Sequence, residues 1–414
     1  MKNWKKEKLG DVCEFVRGPF GGSLKKNIFK EDGFAVYEQQ HAIYDQFNKI
    51  RYFIDEVKFN EMKRFELNSG DLIMSCSGTM GKIAIVPDNI KRGIINQALL
   101  KLSPSSKVST VFLKLWMQSE NFQESLEKHS KGAAIKNVAS VAILKKIEIP
   151  LPPLPEQQHI VVILDEVFGA IAKAKANAEQ NLKNVKELFE SYLQGVFETK
   201  GEGWEEKTLG EIATFRNGMN FTKSSKGEKI NIVGVKDFQK SFWVPFETLE
   251  TVTLDGKLND LDLLKEGDIL AVRSNGNPQL IGRTLLASEV VGKVSHSGFT
   301  IRIRLNAKNV DPVYLCNFLK ITKTRKILVD GGNGVGIKSL NQGSLAALLM
   351  PIPSVKQQQT IVQKIDALSS ETKKLEAIYQ QKINDLEELK KSVLQKAFAG
   401  ELKEDLKEHF AENA

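Results

Sequence analysis

The chain repeats itself at a spacing of about 200 residues, and this repeat limits its fold more than any other feature. Landmarks at the start of the first copy return in the second: Trp4, Leu9-Gly10, Phe15 and Gly18 recur as Trp204, Leu209-Gly210, Phe215 and Gly218. Further along, Gly70–Ile73 corresponds to Gly267–Leu270, and Pro150–Gln158 corresponds to Pro351–Gln359. Because the spacing stays close to 200 throughout, the copies are collinear, which indicates a duplicated unit rather than chance similarity.

Each copy begins with short β-rich runs and continues with helical patterns. Leu72–Ser75, Lys82–Val86 and Ile269–Arg273 are rich in strand-forming residues and are bounded by Gly, Asn and Asp. The segments near Val111–Leu126 and Val313–Leu328 have the apolar spacing of amphipathic helices. The order predicts an α+β domain, which is closed by the Pro-rich stretch because proline continues neither a strand ladder nor a helix.

A long helix is predicted after each Pro-rich stretch. Apolar residues recur at alternating steps of four and three from Leu164 to Val196 and again from Ile365 to Ala397. One extra step of four interrupts each series at matching places, after Ala178 and after Tyr379. The matching interruptions predict that the two helices lie along each other. Because short connections favour the antiparallel direction, we expect an antiparallel coiled coil that holds two globular domains apart. The alternative is that each helix packs on its own domain.

These patterns predict four segments. Residues 1–150 and 201–353 form the globular domains, and residues 151–200 and 354–414 form the helices. The globular segments hold 24 and 20 basic residues against 17 and 16 acidic ones, whereas both helical segments have a slight acidic excess. Because the positive charge lies in the globular parts, it is compatible with a nucleic-acid surface, although lysine-rich solubility explains it equally well.

Catalytic and metal-binding patterns are weak in this sequence. The three cysteines are far apart, and the five histidines have no ligand spacing. The glycine-rich run Gly331–Gly336 lacks the Lys that must follow the last Gly of a phosphate-binding loop, because Ile337 intervenes. No apolar run spans a membrane and no leader pattern is present, so we expect a cytoplasmic, reduced, metal-free protein without catalytic residues.

The Pro-rich junctions and the helices resemble one known family. Ile149–Gln158, followed by a long helix, resembles the central conserved region of the specificity subunits of type I restriction–modification systems. Leu394–Leu402 resembles their C-terminal conserved region, and the segments 4–10 and 204–210 resemble the openings of their target recognition domains. The second copy departs from the family pattern at Ser354–Lys356, where prolines are missing.

The resemblance implies a non-catalytic subunit that reads double-stranded DNA at a split site. Each globular domain would read one half-site, and the helices would set the gap and bind two methyltransferase subunits. A restriction and translocase subunit would complete the complex. This chain would then bind no cofactor, and S-adenosylmethionine, ATP and Mg²⁺ would belong to the partner subunits.

Loops between the predicted strands hold the candidate DNA contacts. Arg, Lys, Asn and Gln read base edges, while Ser, Thr and backbone amides often bind phosphate. The candidates are Lys25, Lys26, Gln39, Gln40, His41, Ser75, Ser77 and Lys82 in the first domain, and Lys223, Lys226, Lys236, Arg273, Ser274, Asn275, Asn277 and Arg283 in the second. The alternative is that the glycines only form turns and the lysines are solvated.

Some large apolar residues of the helices lie off the main apolar register. These residues are Phe168, Leu188, Phe197, Ile378 and Phe398. We expect them to bind the methyltransferase subunits. Two other functions stay open at this point: a protein scaffold that does not bind DNA, and an enzyme that itself methylates or cleaves DNA.

Overall fold

The computed structural model describes residues 4–129, 138, 140–199, 201–222, 224–239, 241–254, 258–330 and 339–402. The chain divides into two compact units. The first comprises Met1–Glu179 together with Gln380–Ala414, and the second comprises Gln180–Tyr379. Each unit therefore combines a globular domain with segments from both predicted long helices.

The strands of the first unit form one pair and two small sheets. They are β1 Lys6–Lys8, β2 Cys13–Arg17, β3 Phe34–Tyr37, β4 Phe53–Ile54, β5 Leu72–Ser75, β6 Ile83–Ile85, β7 Gly93–Ile95, β8 Leu99–Pro104 and β9 Glu148–Pro150. One sheet has the antiparallel order β2-β8-β5-β6. The other has the order β4-β3-β7, with β3 and β7 parallel. The pair β1-β9 joins the start of the domain to its Pro-rich end.

Helices cover these sheets and lead out of the domain. They are α1 Leu9–Val12, α2 Gln39–Tyr44, α3 Glu56–Glu61, α4 Thr110–Gln118, α5 Glu120–Lys128, α6 Val141–Leu144 and the long α7 Leu154–Glu198. The main core of the unit contains Leu72, Leu100, Phe112 and Trp116, and it continues onto α7 through Ile160 and Leu164.

The second unit has the same order of strands. Its strands are β10 Glu205–Thr208, β11 Ala213–Asn217, β12 Lys229–Val233, β13 Glu250–Thr253, β14 Ile269–Val272, β15 Thr284–Leu286, β16 Val294–His296, β17 Thr300–Leu305 and β18 Leu349–Ile352. Its helices are α8 Leu209–Ile212, α9 Pro312–Lys320, α10 Thr322–Asp330 and α11 Gln342–Ala346, followed by the long α12 Val355–Phe398.

The sheet topology of the two units matches strand for strand. In the second unit the orders are β11-β17-β14-β15 and β13-β12-β16, with β10-β18 as the closing pair. The units differ after β12, where the short 3-10 helix Val235–Phe238 takes the place of α2. The duplication read from the sequence is therefore a duplication of the fold, and the predicted α+β class is confirmed.

One helix prediction was wrong in detail in both copies. The stretches near Val111–Leu126 and Val313–Leu328 are each two short helices, which are separated at Ser119 and at Ile321. The ψ angles of these two residues are 151° and 132°, which no α-helical residue adopts. The apolar spacing continues across the bend because both short helices cover the same core, so the periodicity hides the break.

The long helices pack against each other inside each unit. In the first unit, Lys175 of α7 forms an ion pair with Glu387 of α12 at 2.6 Å, and Lys390 lies 4.8 Å from the ring centre of Phe168. From the first contact to the second, the residue number falls along α7 and rises along α12. The two helices are therefore antiparallel. In the second unit, Leu193 of α7 and Ile365 of α12 share one core.

A buried glutamine fixes the start of each long helix to its domain. The Gln157 side chain accepts a hydrogen bond from the Ser109 backbone N–H and donates to the carbonyls of Lys107 and Pro152. Gln358 makes the equivalent bonds to the Asp311 N–H and to the carbonyls of Asn309 and Pro353. Both side chains are fully buried. The Pro-rich, Gln-ending motif is therefore a helix anchor that occurs twice.

The described helices are too polar to cross a lipid bilayer. Among the described residues, none of the helices has an apolar stretch of the length and hydropathy that a bilayer crossing needs.

The glycine-rich run Gly331–Gly336, with Ile337 and Lys338, lies outside the described residues.

Candidate nucleic-acid interface

The β5–β6 turn of the first unit is held by hydrogen bonds and carries an exposed lysine. The buried Ser75 hydroxyl donates to the Thr79 carbonyl at 2.6 Å and accepts from the Lys82 backbone N–H at 3.0 Å. Gly81 follows at φ +76°, a conformation that favours glycine. Ser75 is therefore a structural residue and not a free DNA contact, which corrects that expectation. Lys82 is exposed and Ser77 is half-buried, so both remain available.

His41 is also structural, which corrects a second expectation. Its ring is buried, with Nε2 3.0 Å from the Lys49 carbonyl and Nδ1 2.9 Å from the Glu38 backbone N–H. A carbonyl only accepts, so this geometry fits the tautomer that has its hydrogen on Nε2. His41 thus fastens α2 to the following loop. Its neighbours Gln39 and Gln40 are half-buried on the same helix.

The β2–β3 loop combines exposed lysines with an exposed aromatic ring. Lys25 and Lys26 are exposed, and Phe20 in the same loop is 92% exposed. The loop leaves β2 at Gly18, where an added Cβ would lie 1.8 Å from the Asn96 carbonyl oxygen. Only glycine fits there, so the direction of the loop is fixed by close backbone contact.

The second unit repeats this loop between β11 and β12. At Gly218 an added Cβ would lie 2.2 Å from the Ser297 carbonyl oxygen, and Phe221 after it is exposed. Lys226 is exposed on the same loop. The candidate Lys223 lies outside the described residues.

The loop between β14 and β15 is held by its own asparagines. The Asn275 side chain accepts from the Asn277 backbone N–H at 2.8 Å, and the Asn277 side chain accepts from the Gln279 N–H at 3.0 Å. In both cases the amide oxygen is engaged, which orients the amide NH₂ group as a donor on a shaped loop. Donors of this kind are suited to the acceptors on base edges.

A cleft of about 460 Å³ brings three of the predicted residues together. Lys236, Ser274 and Asn275 line it, beside the rings of Phe221 and Phe299. Phe299 is 60% exposed, although it directly precedes a buried strand. The Lys236 amine is 2.7 Å from the Glu250 carboxylate, and both groups are exposed. Polar donors beside exposed aromatic rings can bind bases by hydrogen bonding and stacking.

Two arginines of this loop region make different contacts. Arg273 is half-buried, and its guanidinium lies at 3.5 Å from the Gly298 carbonyl oxygen, a long contact. Arg283 donates to the carbonyls of Phe238, Gln239 and Gln279 at 3.2 to 3.4 Å. Arg283 therefore ties the loop to the segment after β12, and part of its charge faces a second cleft.

The candidate partner residues divide into three groups. Leu188 and Ile378, both in the second unit, are 56% and 59% exposed. Phe168 is half-buried beneath Lys390. Phe197 and Phe398 are core residues, which corrects the expectation that they bind a partner: Phe197 packs on Tyr314 and Phe398 packs on Phe112, with ring centres 5.0 and 5.2 Å apart.

The three cysteines are buried among apolar side chains. Burial raises the pKa of Cys13 and Cys76 to about 12, and that of Cys316 to about 11, so these thiols stay protonated. Over the described residues, no cluster of three or more His, Cys, Asp or Glu residues could hold a metal ion.

A model of the type I restriction modification DNA specificity domain matches residues 1–183 and 201–388. The chain belongs to this family. The two matched segments begin where the two copies of the fold begin, so each copy carries one specificity domain.

Relatives of known name agree with this assignment. The specificity subunit of the type I restriction enzyme StySPI from Salmonella potsdam is 26% identical over 316 residues, which cover 73% of this chain and 67% of the relative. Membership of this family supports the interpretation as a specificity subunit over the two alternatives, a scaffold that does not bind DNA and an enzyme that itself methylates or cleaves DNA.

Solved structures show the same fold over nearly the whole chain. One, from a study of complex assembly and conformational transition of the type I R-M system, has a TM-score of 0.76 at 18% identity and covers 96% of this chain and 98% of that chain. The crystal structure of the HsdS subunit from Thermoanaerobacter tengcongensis has a TM-score of 0.59 at 19% identity and covers 96% and 97%.

Sequence reasoning missed several residues that line or flank the candidate interface. Phe20, Phe221 and Phe299 resemble core residues by type, and only the structure shows that they are exposed. Lys320 and Arg325 lie in helices that were interpreted only as covers of the core. A position-by-position comparison of the two repeats would have revealed them, because the corresponding positions in the first copy are uncharged.

Proposed function

We propose that the specificity subunit binds double-stranded DNA at a split site and that each unit reads one half-site. The observation that carries this proposal is the occurrence of one complete fold twice in one chain, each copy with a polar loop after its fifth strand. Two copies of one DNA-binding domain suit a bipartite site, because each copy can occupy the major groove of one half-site.

Exposed and half-buried side chains of both units are the proposed DNA contacts. The exposed ones are Lys25, Lys26 and Lys82 in the first unit and Lys226, Lys236 and Asn277 in the second, and the half-buried contributors are Gln39, Gln40, Ser77, Arg273, Ser274 and Asn275. Lys223 is proposed from its sequence position alone. The lysines are suited to phosphates, and the amides and hydroxyls are suited to base edges.

The partners proposed for this chain are two methyltransferase subunits and a restriction and translocase subunit. Leu188 and Ile378 support a partner surface in the second unit, because isolated large apolar side chains on a helix exterior gain from being covered. The chain would need no cofactor of its own, and S-adenosylmethionine, ATP and Mg²⁺ would bind to the partners. A role on cellular DNA corresponds to a cytoplasmic location.

The proposed mechanism is positional and involves no bond chemistry in this chain. Adenine methylation requires the target base to leave the stack, which costs a few kcal/mol. A subunit that binds both half-sites holds the duplex in register while the methyltransferase extrudes that base. The rate of methylation would then depend on the occupancy of both half-sites.

The test is DNA binding by the full chain with its methyltransferase subunits. We expect the double substitution K25A/K26A to weaken binding to all sequences alike and to reduce the dependence of log K on log salt by roughly 1 for each phosphate that the protein no longer binds. The matched control is K5A/K6A, which removes two exposed lysines beside the β1-β9 pair. Wild-type complex that binds DNA without sequence preference or salt dependence would contradict the proposed function.

A further inference from the structure

Three basic side chains of the second unit surround one small cleft. Arg283, Lys320 and Arg325 line a cavity of about 320 Å³, together with uncharged residues of the segment after β12. Arg283 and Arg325 both donate to the Gln279 carbonyl, at 3.2 and 3.0 Å, so their guanidinium groups lie side by side. The Lys320 amine donates to the Thr284 carbonyl at 2.9 Å.

The carboxylates near these cations, Glu190 and Asp366, line an adjoining cleft that also contains Lys320 and not this one. No carboxylate of the described residues lines the cleft of the three basic side chains. The buried Nε of Arg325 has no hydrogen-bond partner among the described residues. Burial lowers the pKa of Lys320 and of Arg325, and neighbouring positive charge adds to the effect in both cases, although Cys316 acts in the opposite direction on Lys320 and Glu190 does so on Arg325. Clustered cations with a free buried donor are stabilised by a bound anion.

The first unit shows that the fold itself does not need these charges. By the order of elements, Lys82, Gln118 and Gln123 take the positions of Arg283, Lys320 and Arg325. The Gln123 amide donates to the carbonyls of Gly81 and Met117. A neutral side chain therefore hydrogen-bonds to the turn before β6, as Arg325 does to the turn before β15. The positive charge of Arg325 in the second unit is therefore not required for these hydrogen bonds.

The helix that carries Arg325 is also more positive than its counterpart in the first unit. α10 contains three basic residues and one acidic residue, whereas its counterpart α5 contains one basic residue and three acidic residues. The contrast extends the positive surface of the second unit beyond the cleft. In the first unit, the equivalent surface would repel an anion.

The cleft is built from the same two chain segments as the candidate base-reading surface. The segment Val235–Gln239 and the loop Arg273–Arg283 line both clefts: Lys236, Ser274 and Asn275 at one, and Phe238, Gln239 and Arg283 at the other. An anion in the basic cleft would thus lie beside a nucleic acid that occupies the polar one. A backbone phosphate satisfies this geometry, since it accepts from several guanidinium and ammonium donors at once.

We infer that Arg283, Lys320 and Arg325 form a phosphate-binding cleft for the DNA backbone, which the first unit lacks. The identity of the anion as DNA rests on the proposed function, whereas the anion site itself does not. The second unit would then hold its half-site with at least one more phosphate contact than the first at this position. Removing this contact would weaken binding without changing the sequence preference.

The test exchanges residues between the two repeats. The variant K320Q/R325Q introduces the residues of the first unit into the second. It removes both charges but keeps a neutral side chain that can hydrogen-bond to the turn. The matched control is K323Q/K326Q, which removes two exposed charges from the same helix α10. The reciprocal variant Q118K/Q123R introduces the charges into the first unit beside Lys82.

Two readouts separate the anion site from its assignment to DNA. First, inorganic phosphate at constant ionic strength is expected to raise the Tm of the wild-type chain and of K323Q/K326Q, but not of K320Q/R325Q. Equal stabilisation of all three proteins would overturn the anion site. This readout needs no DNA, so it stands even if the proposed function fails.

Second, DNA binding is measured with the full chain and its methyltransferase subunits. K320Q/R325Q is expected to bind on the order of tenfold more weakly, with a salt slope reduced by roughly 1 and an unchanged sequence preference. Q118K/Q123R is expected to increase the slope by a similar amount. Wild-type affinity and slope for K320Q/R325Q, in a complex that binds DNA, would overturn the phosphate assignment and leave the proposed function standing.

Discussion

At the scale of single residues, the buried histidine of the second unit links stability to pH. His296 lies in β16 at 1% exposure, with Nδ1 2.9 Å from the Thr300 hydroxyl. That hydroxyl donates its own hydrogen to the Ser297 carbonyl, so the imidazole must donate from Nδ1. Burial lowers the pKa of His296 from 6.5 to about 3, and Arg302, Arg216 and Arg304 add to the effect.

This shift predicts a loss of stability in acid. Below about pH 6.5 the unfolded chain binds a proton at this ring, whereas the folded chain does so only near pH 3. Stability from this group is therefore complete above pH 6.5 and falls as the pH falls toward 3, by up to about 1.4 kcal/mol per pH unit. We expect H296N to have a shallower dependence of unfolding free energy on pH between 4 and 6, measured by denaturant titration.

A histidine on the surface provides the comparison for this measurement. His129 is exposed at the end of α5, and H129N is the matched substitution on the surface. Identical slopes for wild type and H296N would show that burial does not hold the His296 ring neutral, contrary to this prediction.

Residue type alone could not separate structural polar residues from available ones. Ser75 and His41 have the same chemistry as exposed DNA contacts, but each satisfies backbone groups inside its own turn. Phe197 and Phe398 lie off the predicted helix seam, yet each reaches the core of a globular domain that the helix periodicity does not describe. Burial depends on the packing of distant segments, which local sequence does not contain.

At the scale of elements, the buried glutamines connect each long helix to its domain. Gln157 and Gln358 each satisfy one N–H and two carbonyls that are remote from the helix interior. A buried backbone group that loses its partner costs about 1–3 kcal/mol. The anchor therefore fixes the direction in which the helix leaves the domain, which matters for a subunit that presents two reading surfaces.

Substitution of either anchor should be costly, although Leu preserves much of its volume. We expect Q157L to destabilise the first unit by on the order of 3 kcal/mol, because several buried polar groups lose a partner at once. Q358L should do the same in the second unit. Hydrogen exchange at the amides of Ser109 and Asp311 measures each effect locally.

The next residue along each helix is the matched control. Gln158 and Gln359 are exposed, so Q158L and Q359L should change stability by less than about 0.5 kcal/mol. Equal losses of stability for Q157L and Q158L would mean that the hydrogen bonds of the buried amide do not stabilise the unit. Gln157 would then not be an anchor.

At the scale of the whole molecule, the repeat was the most informative feature of the sequence. Duplication is visible because Trp204, Gly218 and the Pro-rich end occupy equivalent structural positions, and such positions tolerate few residues. The long helices were visible because a heptad series is regular over many turns. The repeats show that Lys320 and Arg325 replace uncharged residues, but only packing shows that they lie beside Arg283 in one cleft.

Two similar units that read two halves of one DNA site for partner subunits should leave a methylation pattern in the host genome. Methylation-sensitive sequencing of host DNA, with and without this gene, tests this claim most directly. We expect deletion of the gene to remove one split methyl-adenine motif, and restoration of the gene to restore it. An unchanged methylome, in cells where the chain is expressed and co-purifies with a methyltransferase subunit, would contradict the claim.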